Sequence, residues 1–348
     1  MEEQTAGPSS AAAKKLKIAQ IGIVVEDASR TARHYAEIFG MGPWLFRDLT
    51  PTDGSLRGEV LGNAGGCFRE AVTAFNDIEI KLIEPLYGPG AYMEFLRKHG
   101  GGIHHLSLGA IDDNDTLISG LQKAGIGIEM RGHLGGAHVF TCLDAVRELG
   151  TRFEVMQPAL PGATTEIEPW GFYEPPAPPL WNMEKKRINQ IGFVVDDAEA
   201  MAKRYEELLG IGPWRIVLTN TRRPAGAPKR KGPSKAILHG IPMIEMDLRL
   251  KIALADCDDM QFELIEPLAG PGTHWEFLKK QGNGVHHLSF GRVNDHDHCI
   301  GVLQQRGIDI EMSGPGGPGS RFFYMSTQKE LGTVFEFVSV PPPADAGT

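Results

Sequence analysis

Runs of alternating apolar and polar residues give way to segments with helical spacing, and this change recurs along the chain. Residues 188–195 alternate in the manner of a strand. A period of 3.6 residues begins behind Asp197, which predicts a helix that Asp197 caps and Gly210 ends. The apolar positions of this helix are Ala198, Met201, Ala202, Tyr205, Leu208 and Leu209.

Two apolar-rich runs, 248–255 and 260–265, flank a mostly acidic turn and predict a hairpin. The following residues repeat the order of elements. They predict a strand at 285–293, a helix around 299–305, a strand at 308–314, and a second hairpin from 321–327 and 333–340. Each half therefore predicts one strand, one helix and two or three further strands, so the segment is itself an internal pair.

This whole arrangement occurs twice. Segment 20–44 returns as 190–214, and the motifs IEPLYGPG, GGGIHHLSL and LGTRFEV return as IEPLAGPG, GNGVHHLSF and LGTVFEF. Self-similarity of this length marks a duplicated domain. We expect an N-terminal copy at 16–158 and a C-terminal copy at 187–341. A proline-rich linker at 159–186 should pack along them, and the tails at 1–15 and 342–348 should be disordered.

The second copy carries extra residues. The offset between the copies grows from 170 at the first strand to 182 at the histidine pair. The inserted region contains a basic group, which consists of Arg222, Arg223, Lys229, Arg230, Lys231 and Lys235. Such a composition is typical of a solvated loop. The phosphates of a coenzyme A thioester are the alternative partner for these charges.

Composition narrows the classes of function. Each copy is long enough to bury its own core, and a formal net charge of −9 argues against a nucleic-acid partner. No run approaches the roughly 18 apolar residues of a membrane span, so we expect no membrane partner. Cys67, Cys142, Cys257 and Cys299 lack CxxC spacing, which predicts reduced thiols in a cytoplasmic protein. A homo-oligomer is compatible with this composition.

Strand alternation decides which polar side chains share a face. In the C-terminal copy, this alternation predicts that four strands each direct one polar side chain inward. It also predicts that the side chain of His286 points into the core. The inward groups are Gln190, Glu263, His287 and Glu336. Two carboxylates, an imidazole and an amide oxygen suit a divalent Zn, Co, Ni or Mn ion and leave one or two positions for water or substrate. Their coincidence on four strands favours a metal site over separate solvated or salt-bridged groups.

The ordered motifs resemble a known family. A strand that begins with Gln, an amphipathic helix, ELIEPL, GVHHLS and a final FEF resemble the vicinal oxygen chelate superfamily. This group includes glyoxalase I, methylmalonyl-CoA epimerase, fosfomycin resistance proteins and ring-cleaving dioxygenases. The resemblance covers both copies. It implies an α+β fold of two tandem domains, each made of paired βαβββ modules that form an open half-barrel around a metal ion.

The ligand types favour one branch of that family. Iron dioxygenases typically hold Fe(II) with two His and one carboxylate, whereas Gln20 and Gln190 stand where the resemblance places the first His. The set in the C-terminal copy is similar to that of glyoxalase I, and the IEPL and GVHHLSF motifs resemble methylmalonyl-CoA epimerase. The resemblance implies that the chain moves a proton on the carbon next to a carbonyl.

We therefore expect a metal-dependent isomerase, epimerase or lyase that acts on a small carbonyl or thioester substrate. Glu336 or Glu263 would take the proton, and Lys251, if it points inward, would return the proton or stabilise the enolate. Two alternatives stay open. The two-domain layout also resembles 4-hydroxyphenylpyruvate dioxygenase, which would require iron, and a non-catalytic binding protein would require no metal.

The two copies are not equivalent. The corresponding residues of the N-terminal copy are Gln20, Lys81, His105 and Glu154. A charged ammonium group cannot ligate a cation, so we expect the metal only in the C-terminal copy. Glu70 stands where the resemblance implies a catalytic base, and Lys251 aligns with it in the second copy. We expect the N-terminal copy to be a degenerate structural partner, or Lys81 to serve another inward role such as pairing with Glu154.

Overall fold

In a computed structural model, the chain is described over residues 16–62, 66–109, 111, 113–134, 138–157, 168–176, 178–181, 187–220, 236–243, 248–316 and 319–340. The two tails that the sequence predicts to be disordered lie outside these ranges. The basic group at 222–235 and part of the linker also lie outside them.

Each copy forms its own curved sheet, which confirms the predicted α+β fold with tandem half-barrels. The N-terminal copy contains β1 (Gln20–Val24), α1 (Ala28–Phe39), β2 (Trp44–Leu49), β3 (Thr52–Leu56), β4 (Glu59–Gly62), β5 (Cys67–Phe75), β6 (Ile78–Tyr87), α2 (Ala91–His99), β7 (Gly102–Ser107), α3 (Asn114–Lys123), β8 (Gly127–Leu134), β9 (His138–Asp144), α4 (Val146–Leu149) and β10 (Arg152–Gln157). The linker adds β11 (Gly171–Tyr173).

The C-terminal copy repeats these elements in the same order. It contains β12 (Gln190–Val194), α5 (Ala198–Leu209), β13 (Arg215–Asn220), β14 (Ile237–Leu238), β15 (Ile241–Pro242), β16 (Arg249–Cys257), β17 (Met260–Ala269), α6 (Thr273–Gln281), β18 (Gly284–Val293), α7 (His296–Gln305), β19 (Ile310–Pro315), β20 (Arg321–Met325), α8 (Gln328–Leu331) and β21 (Val334–Ser339).

The first strand of each copy joins its two halves. The sheet order is β11-β2-β5-β6-β1-β7-β10-β9-β8-β3-β4 in the N-terminal copy and β13-β16-β17-β12-β18-β21-β20-β19-β14-β15 in the C-terminal copy. Strand β12 is parallel to β17 of its own half and antiparallel to β18 of the other half. Each copy is thus the predicted internal pair, and its central strands β17, β12, β18 and β21 bring both halves to one concave face.

The long helices begin and end where the sequence signals predict. Asp197 caps α5 by accepting a hydrogen bond from the backbone N–H of Ala200 at 3.0 Å, and Gly210 ends the helix with a φ of 65°. Asp27 and Gly40 do the same for α1. The predicted hairpin of β16 and β17 is present with a shorter turn, because the strands extend to Cys257 and restart at Met260.

Helices α2 and α6 are present in the structure but were not predicted from the sequence. Each follows the IEPL motif and leads into the histidine-pair strand. Their apolar faces are short, and Tyr92 and His274 are the buried aromatic side chains that they contribute. These helices lie over the histidine pairs, since Tyr92 contacts His104 and His274 contacts His286 with ring centroids 4.9 and 5.1 Å apart.

The copies share one hydrophobic core on the convex side of their sheets. Phe39 of α1 contacts Phe290 and Phe335 of the other copy, with ring centroids 5.3 and 5.2 Å apart. The Tyr35 hydroxyl donates to the Leu331 carbonyl at 2.8 Å, and the Tyr205 hydroxyl donates to the Leu149 carbonyl at 2.5 Å. The first helix of each copy therefore packs against the second half of its partner copy.

The described part of the linker packs as expected. Strand β11 pairs with the edge strand β2, and Trp170 stacks on Phe46 at 5.5 Å. Trp181 is buried, and its indole N–H donates to Asp295 of the C-terminal copy. The four cysteines are buried and form no disulfide. Among the helices in the described ranges, none has the length and apolarity to cross a lipid bilayer.

Substitution of Tyr205 by Phe should lower the free energy of unfolding by about 1–2 kcal/mol, because the Leu149 carbonyl loses its buried donor. Tyr35→Phe should have a similar effect through Leu331. Guanidinium unfolding measures the difference, and Tyr87→Phe, at a tyrosine that is 65% exposed, is the control. Unchanged midpoints in both core variants would contradict a role for these bonds in joining the copies.

Candidate functional site

Strand register brings most of the predicted ligand set together. Gly192 of β12 lies opposite Glu263 on one neighbouring strand and opposite His287 on the other. Ser289, two residues beyond His287, lies opposite Glu336 of β21. Because side chains alternate along a strand, Glu263, His287 and Glu336 all point to the concave face.

The imidazole of His287 is the centre of this group. Its Nε2 atom lies 3.5 Å from Glu263 Oε2 and 3.7 Å from Glu336 Oε2. The side chain is fully buried, and Nε2 has no hydrogen-bond partner in the described part of the chain. Two carboxylates therefore face an unsatisfied ring nitrogen, which is the arrangement expected of ligands around a cation.

Gly192 makes room for this imidazole. A Cβ atom at residue 192 would lie only 1.9 Å from His287 Cε1, and one at Gly22 would lie 2.2 Å from His105 Cε1 in the other copy. The ring therefore lies flat across the central strand, so any larger residue would displace it. This requirement explains why the QIG motif recurs in both copies.

Gln190 shares the concave face but does not contact His287. Its amide N–H donates instead to Gln261 Oε1 at 2.9 Å. No group of three or more His, Cys, Asp or Glu side chains in the described ranges is arranged to hold a metal ion as it stands. The donor types nevertheless fit one.

The site combines two carboxylates, with Glu263 at the position where the N-terminal copy has Lys81. Burial raises the pKa of the Glu336 carboxyl to about 7; His287 and a hydrogen bond from Ser289 oppose this shift, and the charge of Glu263 adds to it. Two neighbouring carboxylates repel each other, and the burial of Glu336 adds to this preference for a protonated carboxyl. A bound divalent cation would remove this repulsion.

His286 fixes the orientation of His287. It is buried as predicted, and its Nδ1 atom lies 3.2 Å from Nδ1 of His287. A ligand imidazole that binds through Nε2 must carry its proton on Nδ1 and needs an acceptor for it. Burial holds the pKa of His286 well below its usual value, so its ring is neutral and offers that acceptor.

Three further residues of the site were not predicted. Gln261 shares its face with Glu263, and the alternation of β17 would have revealed it. The Ser289 hydroxyl bonds to Glu336 and lies on the same face as His287. Tyr324 covers the His287 ring with centroids 4.8 Å apart, and His274 Nε2 lies 3.3 Å from its hydroxyl. No short motif marks Tyr324, because it belongs to an apolar run.

The inward position considered for Lys251 is wrong. Lys251 lies opposite Glu266 and forms ion pairs with Glu266 at 3.3 Å and Glu199 at 3.1 Å, beside the start of α5. Its neighbour Ile252 is the residue that matches Glu70 of the first copy. In each copy, one residue of this strand pairs with the inward residue of the next strand, and Ile252 and Glu70 each lie two positions before that paired residue. A one-residue slip in alignment reverses the face of a strand.

The N-terminal copy places Lys81 where the other copy has Glu263, since both lie opposite the central glycine. Lys81 Nζ lies 3.8 Å from Glu70 Oε2, and Arg47 donates to Glu70 Oε1 at 3.0 Å. His105 Nε2 lies 3.6 Å from Glu154 Oε2. Gln20 donates to Glu79, in the manner of Gln190 and Gln261. Lys81 therefore forms its close ion pair with Glu70, while the charge of Glu154 acts on it from a longer distance.

Charge in this copy is balanced internally. Burial lowers the pKa of Lys81, but the charges of Glu154, Glu70 and Glu79 outweigh burial, so the net shift is upward and the ammonium persists. The pKa of Glu154 is lowered, because His105 and Lys81 together outweigh its burial. Glu154 and Glu336 occupy matching positions, and the residue opposite the central glycine contributes to their opposite shifts, since Lys81 lowers the pKa of Glu154 and Glu263 raises the pKa of Glu336.

Comparisons with known proteins match the fold and its duplication. The model of the glyoxalase/bleomycin resistance protein/dioxygenase superfamily matches residues 19–141 and again 189–324, which is more than half of the chain. No curated protein matches the sequence.

Two of the solved structures that resemble this chain cover nearly all of it. One is a mutant of 4-hydroxymandelate synthase from Streptomyces coelicolor, at 15% identity, with 93% of this chain and 92% of that chain covered and a TM-score of 0.57. The other is a fusion of a xylose isomerase-like TIM barrel with 4-hydroxyphenylpyruvate dioxygenase, at 12% identity, with 100% and 52% covered and a TM-score of 0.50. At these identities the likeness shows the fold alone.

In the metal-free protein, the Glu336 carboxyl should contribute stability that is lost as the pH rises from about 4.5 to about 7. The folded Glu336 carboxyl, which faces Glu263, His287, Ser289 and Tyr324, holds its proton more tightly than the unfolded one. The loss is at most on the order of 3 kcal/mol. Glu336→Gln should reduce it in guanidinium unfolding with a chelator at pH 5 and pH 8. An equal pH dependence in both proteins would contradict the assignment.

Proposed function

The chain belongs to the glyoxalase/bleomycin resistance protein/dioxygenase superfamily, and from this premise we propose that its C-terminal half-barrel binds a divalent metal ion and transfers a proton on the carbon next to a carbonyl. The reaction class is that of an isomerase, epimerase or lyase. The substrate is a small carbonyl compound or a thioester. The observation that carries the proposal is the unpartnered, buried His287 Nε2 between two carboxylates.

The donor set supports Zn, Co, Ni or Mn over iron. His287 is the single imidazole in the group with Glu263 and Glu336, whereas Fe(II) in oxygen-activating sites is typically held by two imidazoles and one carboxylate. Gln190 lies where a second imidazole would be needed. His274 does not supply one, because its Nε2 atom is directed at the Tyr324 hydroxyl.

Glu263, His287, Glu336 and Gln190 would hold the ion. When bound, the ion supplies Lewis acidity to the carbonyl oxygen of the substrate. Glu336 is the proposed base, because β21 directs its carboxylate to the concave face, where Oε2 lies 3.7 Å from His287 Nε2.

Apolar side chains surround part of the group that would carry out this transfer. A cluster of apolar side chains lies on the concave side of the C-terminal sheet. It includes Leu250, Ile265, Met312 and Val334, all of which are at least 94% buried. Interactions between charges are stronger in such surroundings than in water. Tyr324 closes the group from the other half of the sheet.

Substitution of His286 by Phe should weaken Zn²⁺ or Mn²⁺ binding about 10- to 100-fold, because His287 loses the acceptor that keeps its proton on Nδ1. Phe preserves the packing against Phe277. Competition with a chromogenic chelator measures the affinity. The matched control is His104→Phe in the N-terminal copy, which should change nothing. Unaltered affinity in the first variant, or equal losses in both, would contradict the tautomer assignment.

Substitution of Glu336 by Gln should reduce proton exchange at least about 100-fold, because the amide cannot accept the proton. Deuterium incorporation from D2O into a panel of carbonyl acids and acyl thioesters, followed by NMR, measures the exchange. Glu154→Gln is the matched control and should exchange as fast as the wild type.

Two outcomes would overturn the proposal. The first is exchange at the wild-type rate in Glu336→Gln. The second is bound iron together with oxygen consumption, which would indicate a dioxygenase.

A further inference from the structure

We propose that the N-terminal half-barrel is a second ligand site that works without a metal ion, in which the ammonium group of Lys81 binds the oxygen of a small, neutral hydroxycarbonyl compound. This inference concerns residues of the N-terminal copy only. It therefore does not depend on metal binding or proton transfer in the C-terminal copy.

The first observation is the position of Lys81. It occupies the register position of Glu263, opposite the central glycine, so its side chain enters the concave face where the other copy converges on His287. Its side chain is only 8% exposed. Glu70 and Glu154 hold it as a cation from within the protein, and an ammonium group excludes a second cation from the same place.

The second observation is a cavity in front of this ammonium group. It measures about 560 Å³, and its polar lining consists of Lys81, Arg47, Glu70, Glu79, Gln20, His138 and Glu168. Apolar side chains lie beside these groups on the same strands, among them Leu45, Leu49 and Val72. An apolar lining with a small number of polar groups is the usual form of a small-molecule site.

The third observation is unused hydrogen-bonding capacity. The one ion pair of Lys81 among the described residues is to Glu70 at 3.8 Å, which is too long for a hydrogen bond. Oε1 of Gln20 is buried and has no partner within the described ranges, and the same holds for Oε1 of Glu154 and Nε2 of His105 behind it. Buried polar atoms are costly when left unpaired.

These groups define the chemistry of the ligand. Lys81 offers N–H donors to a carbonyl oxygen, and Gln20 Oε1 offers an acceptor to a neighbouring hydroxyl. Arg47 and Lys81 are already balanced by Glu70, Glu154 and Glu79, so the site has no surplus of positive charge for an anion. A neutral molecule with adjacent carbonyl and hydroxyl groups and an apolar body fits this site. Its carbonyl oxygen would accept from Lys81, its hydroxyl would donate to Gln20 Oε1, and it would add no charge.

Isothermal titration of the full chain with 2-hydroxyacetophenone, in the presence of a chelator, tests the proposal. The wild type should bind the probe, and acetophenone, which lacks the hydroxyl, should bind at least about tenfold more weakly. Lys81→Gln should lose at least about tenfold in affinity, while Lys81→Arg, which keeps the charge, should retain most of it. Circular dichroism checks that both variants fold.

Variants of the other copy separate this site from the proposed metal centre. His287→Ala, which removes the central imidazole of the C-terminal copy, should bind the probe as the wild type does. Loss of binding in His287→Ala, unchanged binding in Lys81→Gln, or no difference between the two probes would overturn the proposal. No binding of either probe by the wild type would overturn it as well.

Discussion

The concave face of each half-barrel must balance buried carboxylates with positive charge. Strand register directs Glu336 and Glu263 toward His287 in one copy, and Glu154 and Glu70 toward the matching place in the other. Carboxylates taken out of water are costly unless a cation accompanies them. The N-terminal copy meets this demand with Lys81, and the C-terminal copy contains no equivalent lysine, which is the physical reason to place a metal ion there.

Duplication made this division possible without changing the framework. The central glycine, the histidine pair and the serine that bonds to the final glutamate recur in both copies. The shared core on the convex side, together with the hydrogen bonds of Tyr35 and Tyr205, holds the copies together independently of the residues on their concave faces. The exchange of Glu for Lys at the position opposite the glycine, together with Ile252 in place of Glu70, then distinguishes the half proposed to bind metal from the half that carries its own cation.

Much of this arrangement was predictable because it follows from alternation along strands. Glu263, His287 and Glu336 converge as the period of two requires, and the helices end at their expected caps. The prediction for Lys251 failed because the loop before β16 differs in length between the copies, so the alignment slipped by one residue and reversed the face. Gln190 was placed on the correct face, but its bond to Gln261 depends on a neighbouring strand that is distant in sequence. Tyr324 and His274 could not be predicted, since their contact joins α6 to β20 across the open side of the sheet.

The central claim is that charge balance assigns the metal to one copy. Anomalous diffraction from crystals of the full chain grown with Mn²⁺ or Zn²⁺ tests it most directly. The account predicts one strong anomalous peak within ligand distance of Glu263, His287 and Glu336, and no peak near Lys81. A peak between His105 and Glu154, or none at His287, would contradict it.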